Sequence, residues 1–145
     1  MKAKFVYEAI GDIFKPKSEE EIISSMGDLS PNELLIKSTK KGFLPGIKKA
    51  IEMGANVHAE DDNALLFASL NGHYGVVKLL LDNGADVHAV NDFALRWASV
   101  NGHYDVVALL LDNGANVPMG TLRQASANDH YDVIELLKKY MKYEG

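Results

Sequence analysis

Hydrophobic positions along this chain fall into short helical stripes separated by polar turns. Between residues 74 and 82, Val76, Val77, Leu80 and Leu81 recur at i, i+1, i+4 and i+5, with Leu79 widening the stripe. That spacing predicts a helix buried on one broad face. Asn83-Gly84 and Asn113-Gly114 follow the last turn of such stripes, where a residue able to take positive φ closes a helix as a Schellman or αL cap. Asn71-Gly72 and Asn101-Gly102 break the chain between an earlier apolar run and the next helix, leaving His73-Tyr74 and His103-Tyr104 to enter it. Asp62 and Asp92 stand just ahead of the first-helix apolar runs. A carboxylate there suits an N-cap, accepting orphan N–H bonds and complementing the helix dipole.

The pattern repeats. ALLFASLNGHYGVVKLLLDNGADV, Ala64 to Val87, returns thirty positions later as ALRWASVNGHYDVVALLLDNGANV, identical at eighteen of twenty-four places. A divergent copy precedes this pair, with Leu34, Leu35, Ser38, Gly42 and Gly54-Ala55-Asn56-Val57-His58 in register. A shorter copy follows it, with Leu122 to Ser126 and His130 to Val133 matching at an offset of 27. Four helix-turn-helix units, 31–62, 63–92, 93–119 and 120–145, therefore tile the chain after residue 30. A unit this short cannot bury its apolar face alone, so the units must stack, and a stack offers an extended surface to another macromolecule.

The units resemble ankyrin repeats. The family pattern of L-x-x-A, G-H, V-V-x-x-L-L and G-A-D-V is matched by Leu65, Ala68, Gly72, His73, Val76, Val77, Leu80, Leu81, Gly84, Ala85, Asp86 and Val87, and by the same positions of the next unit. The resemblance implies an all-α solenoid. The family period is about 33 residues, and the three missing here fall between Val87 and Ala94, where the family builds its β-hairpin finger. Thr-Pro is also replaced, by Asn63-Ala64 and Phe93-Ala94. The fingers should be shortened. Units of this short form are similar to those of ankyrin arrays in large DNA viruses.

Residues 1–30 stand outside the array. Phe5, Val6, Ala9, Ile10, Ile13 and Phe14 recur at helical spacing up to Pro16, and Ser18-Glu19-Glu20-Glu21 is a capping-box signature leading into Ile22, Ile23 and Met26. A second box, Ser30-Pro31-Asn32-Glu33, opens the first repeat. The segment reads as a helical cap that shields the end of the stack or, alternatively, as an arm that docks on a partner.

Composition narrows the function. The net charge of −5 makes nucleic acid an unsuitable partner, since that affinity rests on Lys and Arg neutralising phosphates. The chain has no Cys, which removes disulfides and thiol chemistry and fits a reducing cytoplasm. Glu8, Gly11 and Asp12 interrupt the first apolar run well short of a signal peptide or membrane span. The five histidines occupy repeat-equivalent places, His73, His103 and His130 after the inter-helix turn and His58 and His88 in the link. Repetition favours a structural role over a converging metal site. No P-loop, nucleophile elbow or HExxH occurs, so neither catalysis nor a cofactor is expected.

The expected function is protein–protein interaction without chemistry, by a monomer rather than a homo-oligomer. In ankyrin repeats the concave surface comes from the finger tips and the end of the first helix. Carried over by position, it comprises Lys40, Lys41, Asp62, Leu70, Asn71, Asp92, Val100 and Asn101. Leu70 and Val100, set among lysines and aspartates, suit a hydrophobic anchor beside an acidic stretch. Phe67 and Trp97 share one repeat position and read either as packing between helices or as an exposed aromatic anchor. The alternative is a structural or assembly protein, such as a virion component, contacting through residues 1–30 and the last helix. In that helix Val133, Ile134, Leu136, Leu137, Tyr140, Met141 and Tyr143 exceed one inward stripe.

Overall fold

The computed structural model describes residues 16–143. The apolar run Phe5 to Phe14 lies outside them. The described residues form nine α-helices and no strand: α1 Glu19–Ser25, α2 Pro31–Lys41, α3 Leu44–Glu52, α4 Ala59–Leu70, α5 Tyr74–Asp82, α6 Ala89–Val100, α7 Tyr104–Asp112, α8 Thr121–Ala127 and α9 Tyr131–Tyr143. From α2 onward they pair as first and second helices of four successive units, giving two layers. The first helices α2, α4, α6 and α8 pack side by side, and the second helices α3, α5, α7 and α9 lie behind them.

One continuous core runs the length of the stack. Leu35, Ile47, Leu65, Val77, Leu80, Leu95, Val107, Leu110, Val133 and Leu137 are wholly buried within it. Positions identical in the two best-matched copies supply most of this core, as the helical stripes require. The first helices approach one another more closely than the second helices do. Their contacts are made by small side chains, Ala64, Ala68, Ser69, Ala94, Ala98, Ser99 and Ala125, all buried, whereas Val and Leu separate the second helices. Interaxial distance follows side-chain size at the contact, so small residues let the first helices lie close together, the side on which the family resemblance expects the concave surface.

Both predicted capping boxes form. Ser18 Oγ accepts from Glu21 N–H while Glu21 Oε2 accepts from Ser18 N–H, and Ser30 and Glu33 exchange the same pair with Pro31 at the first helical position. The helix ends are Schellman caps. At α5, Gly84 takes φ 88°, its N–H donates to Leu81 O at 3.0 Å, and Ala85 N–H donates to Leu80 O at 3.0 Å. Gly72, at φ 70°, does a second thing. The imidazole of His103, from the next unit, occupies the space a Cβ would fill at Gly72, and His103 Nε2 donates to Leu70 O at 2.9 Å. His73 and His130 lie over Gly42 and Gly102 in the same way, so the recurring Gly-His pair joins neighbouring units.

The shortened links hold no hairpin. The first two close with three consecutive left-handed residues, Glu60, Asp61 and Asp62 at φ 53°, 57° and 58°, and Val90, Asn91 and Asp92 at φ 52°, 57° and 57°, and the third closes on Gly120 at φ 84°. The right-handed parts of α4 and α6 begin only after them. The expected N-cap role of Asp62 and Asp92 is therefore corrected. Their carboxylates turn sideways into the links: Asp62 Oδ1 accepts from Asp86 N–H at 2.8 Å, and Asp92 Oδ1 accepts from Asn116 N–H at 2.9 Å. Asn32 Oδ1 makes the matching bond to Asn56 N–H at 2.8 Å. Three equivalent side chains thus tie the start of a first helix to the link that leaves the same unit.

Candidate partner-binding surface

The face of the first helices is built from the positions that the core leaves over. Where Ala64, Leu65 and Ala68 turn inward, Leu66, Phe67 and Leu70 fall on the remaining part of the α4 surface, and Arg96, Trp97 and Val100 do so on α6. These are also positions at which the two best-matched copies differ. Between α6 and α8, Phe93, Arg96, Trp97, Val100, Gln124, Ala127 and Asn128 line an open groove of about 390 Å³. Trp97 is 41% exposed there, and its ring lies 6.1 Å from that of Phe93 at a tilt of 38°. Leaving such a ring half in water forfeits part of the gain from burying it, roughly 25 cal/mol for each Å².

Of the residues carried over by position, Lys40 and Lys41 are exposed at the end of α2, and Leu70 and Val100 are half-buried on the face. Asn71 and Asn101 are exposed, and each Nδ2 donates to a carbonyl one turn back, Phe67 O and Trp97 O at 2.8 Å. Asp62 and Asp92 are not surface residues. They are 5% and 8% exposed, and besides the link amides each receives an imidazole, His58 Nδ1 at 3.1 Å from Asp62 Oδ1 and His88 Nδ1 at 2.8 Å from Asp92 Oδ1. Their place on a contact surface is withdrawn because both carboxylates are consumed in holding successive links together.

Trp97 settles on the exposed side of the two readings of its position, while Phe67 is half-buried beneath a cation. Lys40 Nζ stands 4.5 Å above the Phe67 ring and so connects α2 to α4 across the face. Arg96 was not singled out from the sequence. Its guanidinium carbon lies 5.6 Å from the Phe93 ring centroid and its Nε donates to Gln124 Oε1 at 3.0 Å, bridging α6 to α8. The signal that marks it is the exchange of Leu66 for Arg96 between otherwise matching copies.

Further along, Leu29, Asn32, Glu33, Ile36, Lys37 and Lys40 line a second depression beside the first link. Glu33 is committed to its capping box, whose bonds to Ser30 hold its carboxyl below the usual carboxylate range. At the far end of the stack, most of the apolar surplus of α9 is absorbed. Val133, Ile134 and Leu137 are buried, Leu136 and Tyr140 are half-buried, and Met141 is exposed. Tyr140 Oη donates to Asp112, which raises the tyrosine pKa and fastens α9 to α7. The Tyr143 side chain lies outside the described residues.

A family model for ankyrin repeats in three copies matches residues 34–121. The chain belongs to the ankyrin repeat family. Repeats of this family are generally protein–protein interaction modules and typically carry no enzymatic activity. The fourth unit lies beyond the matched residues, yet α8 and α9 continue both layers of the stack. No curated protein matches the chain in sequence. Among the described residues, no group of three or more His, Asp or Glu is placed to hold a metal ion, and no helix is long and apolar enough to cross a membrane.

Proposed function

We propose that this ankyrin array is a non-enzymatic binding module that captures another protein on its concave first-helix face. The observation that carries the proposal is the groove between α6 and α8, where Trp97 and Val100 stay partly in water while the equivalent inward positions are sealed. Aromatic anchors of this kind dominate the energetics of protein contacts. The contact residues are Lys40, Lys41, Leu70, Asn71, Val100 and Asn101, joined by Phe67, Arg96 and Trp97 and without Asp62 or Asp92. The similarity to viral arrays would make the captured protein one of a host cell, met in the cytoplasm.

The test is capture from lysate by the full chain and by a Leu70→Glu, Val100→Glu double variant, both checked for helical content. Specific bands should disappear with the variant. A deletion of residues 1–17 is the opposing control. If the folded deletion loses capture while the double variant keeps it, the N-terminal segment and not the concave face is the docking site. The chain is expected to sediment as a monomer, and a discrete oligomer would favour the assembly reading.

A further inference from the structure

We infer that the segment seated on the concave face is acidic: a linear peptide segment with an aromatic or large aliphatic anchor flanked by carboxylates. The inference rests on the binding-face reading above and adds the partner's chemistry to it. As a whole the chain is negative, with 15 Lys and Arg against 20 Asp and Glu, which by itself would predict a basic partner. The concave face has the opposite sign. The right-handed parts of α2, α4, α6 and α8 carry Lys37, Lys40, Lys41, Arg96 and Arg123 against the single carboxylate Glu33. Ten basic and nineteen acidic residues are left for the rest of the chain.

Among the described residues, neither cation in the middle of the face is paired with a carboxylate. Lys40 and Arg96 rest on the rings of Phe67 and Phe93, and among the described residues no carboxylate comes within 4.0 Å of either. Of the acids at the starts of the first helices, Glu33 is bonded to Ser30, Glu60 Oε2 accepts from Asn63 Nδ2 at 3.1 Å, and Asp62 and Asp92 are buried in the links, while Asp61 is exposed in the left-handed turn ahead of α4. Second-helix acids such as Asp105 and Asp132 stand at least one helix spacing behind the face, roughly 10 Å. That exceeds the screening length of about 8 Å at physiological salt. A ligand on the face therefore meets an apolar floor with two cations held over aromatic rings, an environment in which a carboxylate finds partially desolvated donors and a lysine meets like charge. Arg96 offers the stronger site, since its terminal nitrogens remain for a bidentate carboxylate while Nε is occupied by Gln124.

Trp97 is the only tryptophan in the chain, so its emission reports occupancy of the groove. The probe is a displayed library of random 16-residue peptides selected on the immobilised full-length protein. Selected peptides, made synthetically, are titrated by Trp97 emission and by anisotropy of a fluorescein label. The expected result is enrichment of Asp and Glu around an aromatic or aliphatic residue, a saturable change in Trp97 emission, and affinity falling about 10-fold or more between low and high salt. Lys40→Glu with Arg96→Glu should weaken acidic peptides about 10-fold or more and favour versions in which the acids are exchanged for lysine. Enriched peptides that are neutral or basic, yet lose binding on Trp97→Ala by anisotropy, would overturn the acidic partner and leave the binding face standing. Peptides whose affinity survives both Trp97→Ala and Leu70→Ala would remove the face itself. Failure to enrich any peptide over blank support would show that the face does not accept a linear segment and would end the proposal.

Discussion

Replacing Asp92 by alanine tests whether the link carboxylates are structural staples. Asp92 Oδ1 accepts from Asn116 N–H at 2.9 Å and contacts His88 Nδ1 at 2.8 Å, joining the link that enters the third unit to the one that leaves it. The side chain is 8% exposed and the backbone sits at φ 57°. Truncation removes a charge-assisted bond to an amide, worth about 1.5 to 3 kcal/mol. It also places alanine in a left-handed conformation that Asp tolerates better, at a further cost on the order of 1 kcal/mol. Asp92→Ala should therefore lower the unfolding free energy by about 2.5 to 4 kcal/mol. Asp92→Asn separates the contributions: it keeps an Oδ1 acceptor and the conformational tolerance and loses only the charge, so it should cost about 1 kcal/mol.

Urea unfolding followed by circular dichroism gives both values, provided that the denaturant slope stays unchanged. The folded fraction of Asp92→Ala should keep its capacity for partner capture. A loss below about 0.5 kcal/mol, the range of ordinary surface substitutions, combined with lost capture, would refute the staple and return Asp92 to the contact surface.

Leu110 is wholly buried in the last turn of α7, so Leu110→Ala should cost about 2 to 5 kcal/mol in the same urea experiment, and hydrogen exchange should quicken in the flanking units as well. Gly84 and Gly72 both take positive φ, but a Cβ meets nothing at Gly84 and collides with the His103 ring at Gly72. Gly84→Ala should thus cost about 1 kcal/mol and Gly72→Ala measurably more, an order that equal losses would overturn. Val90 is a β-branched residue at φ 52°, 44% exposed. Val90→Asn should stabilise by about 1 kcal/mol, because Asn enters the left-handed region readily, and a lowered melting temperature would contradict the strain assigned to that link.

What the sequence disclosed and what it hid divide along physical lines. Stripes such as Val76, Val77 and Leu80, stops such as Asn83-Gly84 and boxes such as Ser30 to Glu33 are local, and each formed at its place because its energy depends on neighbours within about one turn. The family resemblance rests on those same residues. Asp62 and Asp92 were misplaced because the competing acceptor geometry involves an amide 24 residues away, which no local rule anticipates. A carboxylate just before an apolar run has the signature of an N-cap, but three left-handed residues between Val87 and Ala94 turn it aside. Trp97 and Phe67 share one repeat position and still differ in exposure: Lys40, from the preceding unit, covers Phe67, and the residue thirty places on from Lys40 is the shorter, uncharged Leu70.

The same repetition separates the positions that hold the array from those that can change. Gly72 with His103 and Asp92 with Asn116 each bind one unit or link to another through backbone atoms, so substitution there breaks a contact made in register along the stack. Leu66 and Arg96, Phe67 and Trp97, and Leu70 and Val100 are three of the six differences between copies that match at eighteen of twenty-four places, and all six of these residues lie on the first-helix side with at least part of their surface in solvent. A residue there alters what the face presents without disturbing a staple. The other three differences, Gly75 and Asp105, Lys78 and Ala108, and Asp86 and Asn116, fall on the second helices and in the link, so the first-helix face carries half of the variation, as a surface that can be tuned to a partner allows. It also explains how a negatively charged protein can carry a locally positive face: Arg96, the cation by which one copy differs from the other on that face, sits where the fold makes least demand on side-chain identity.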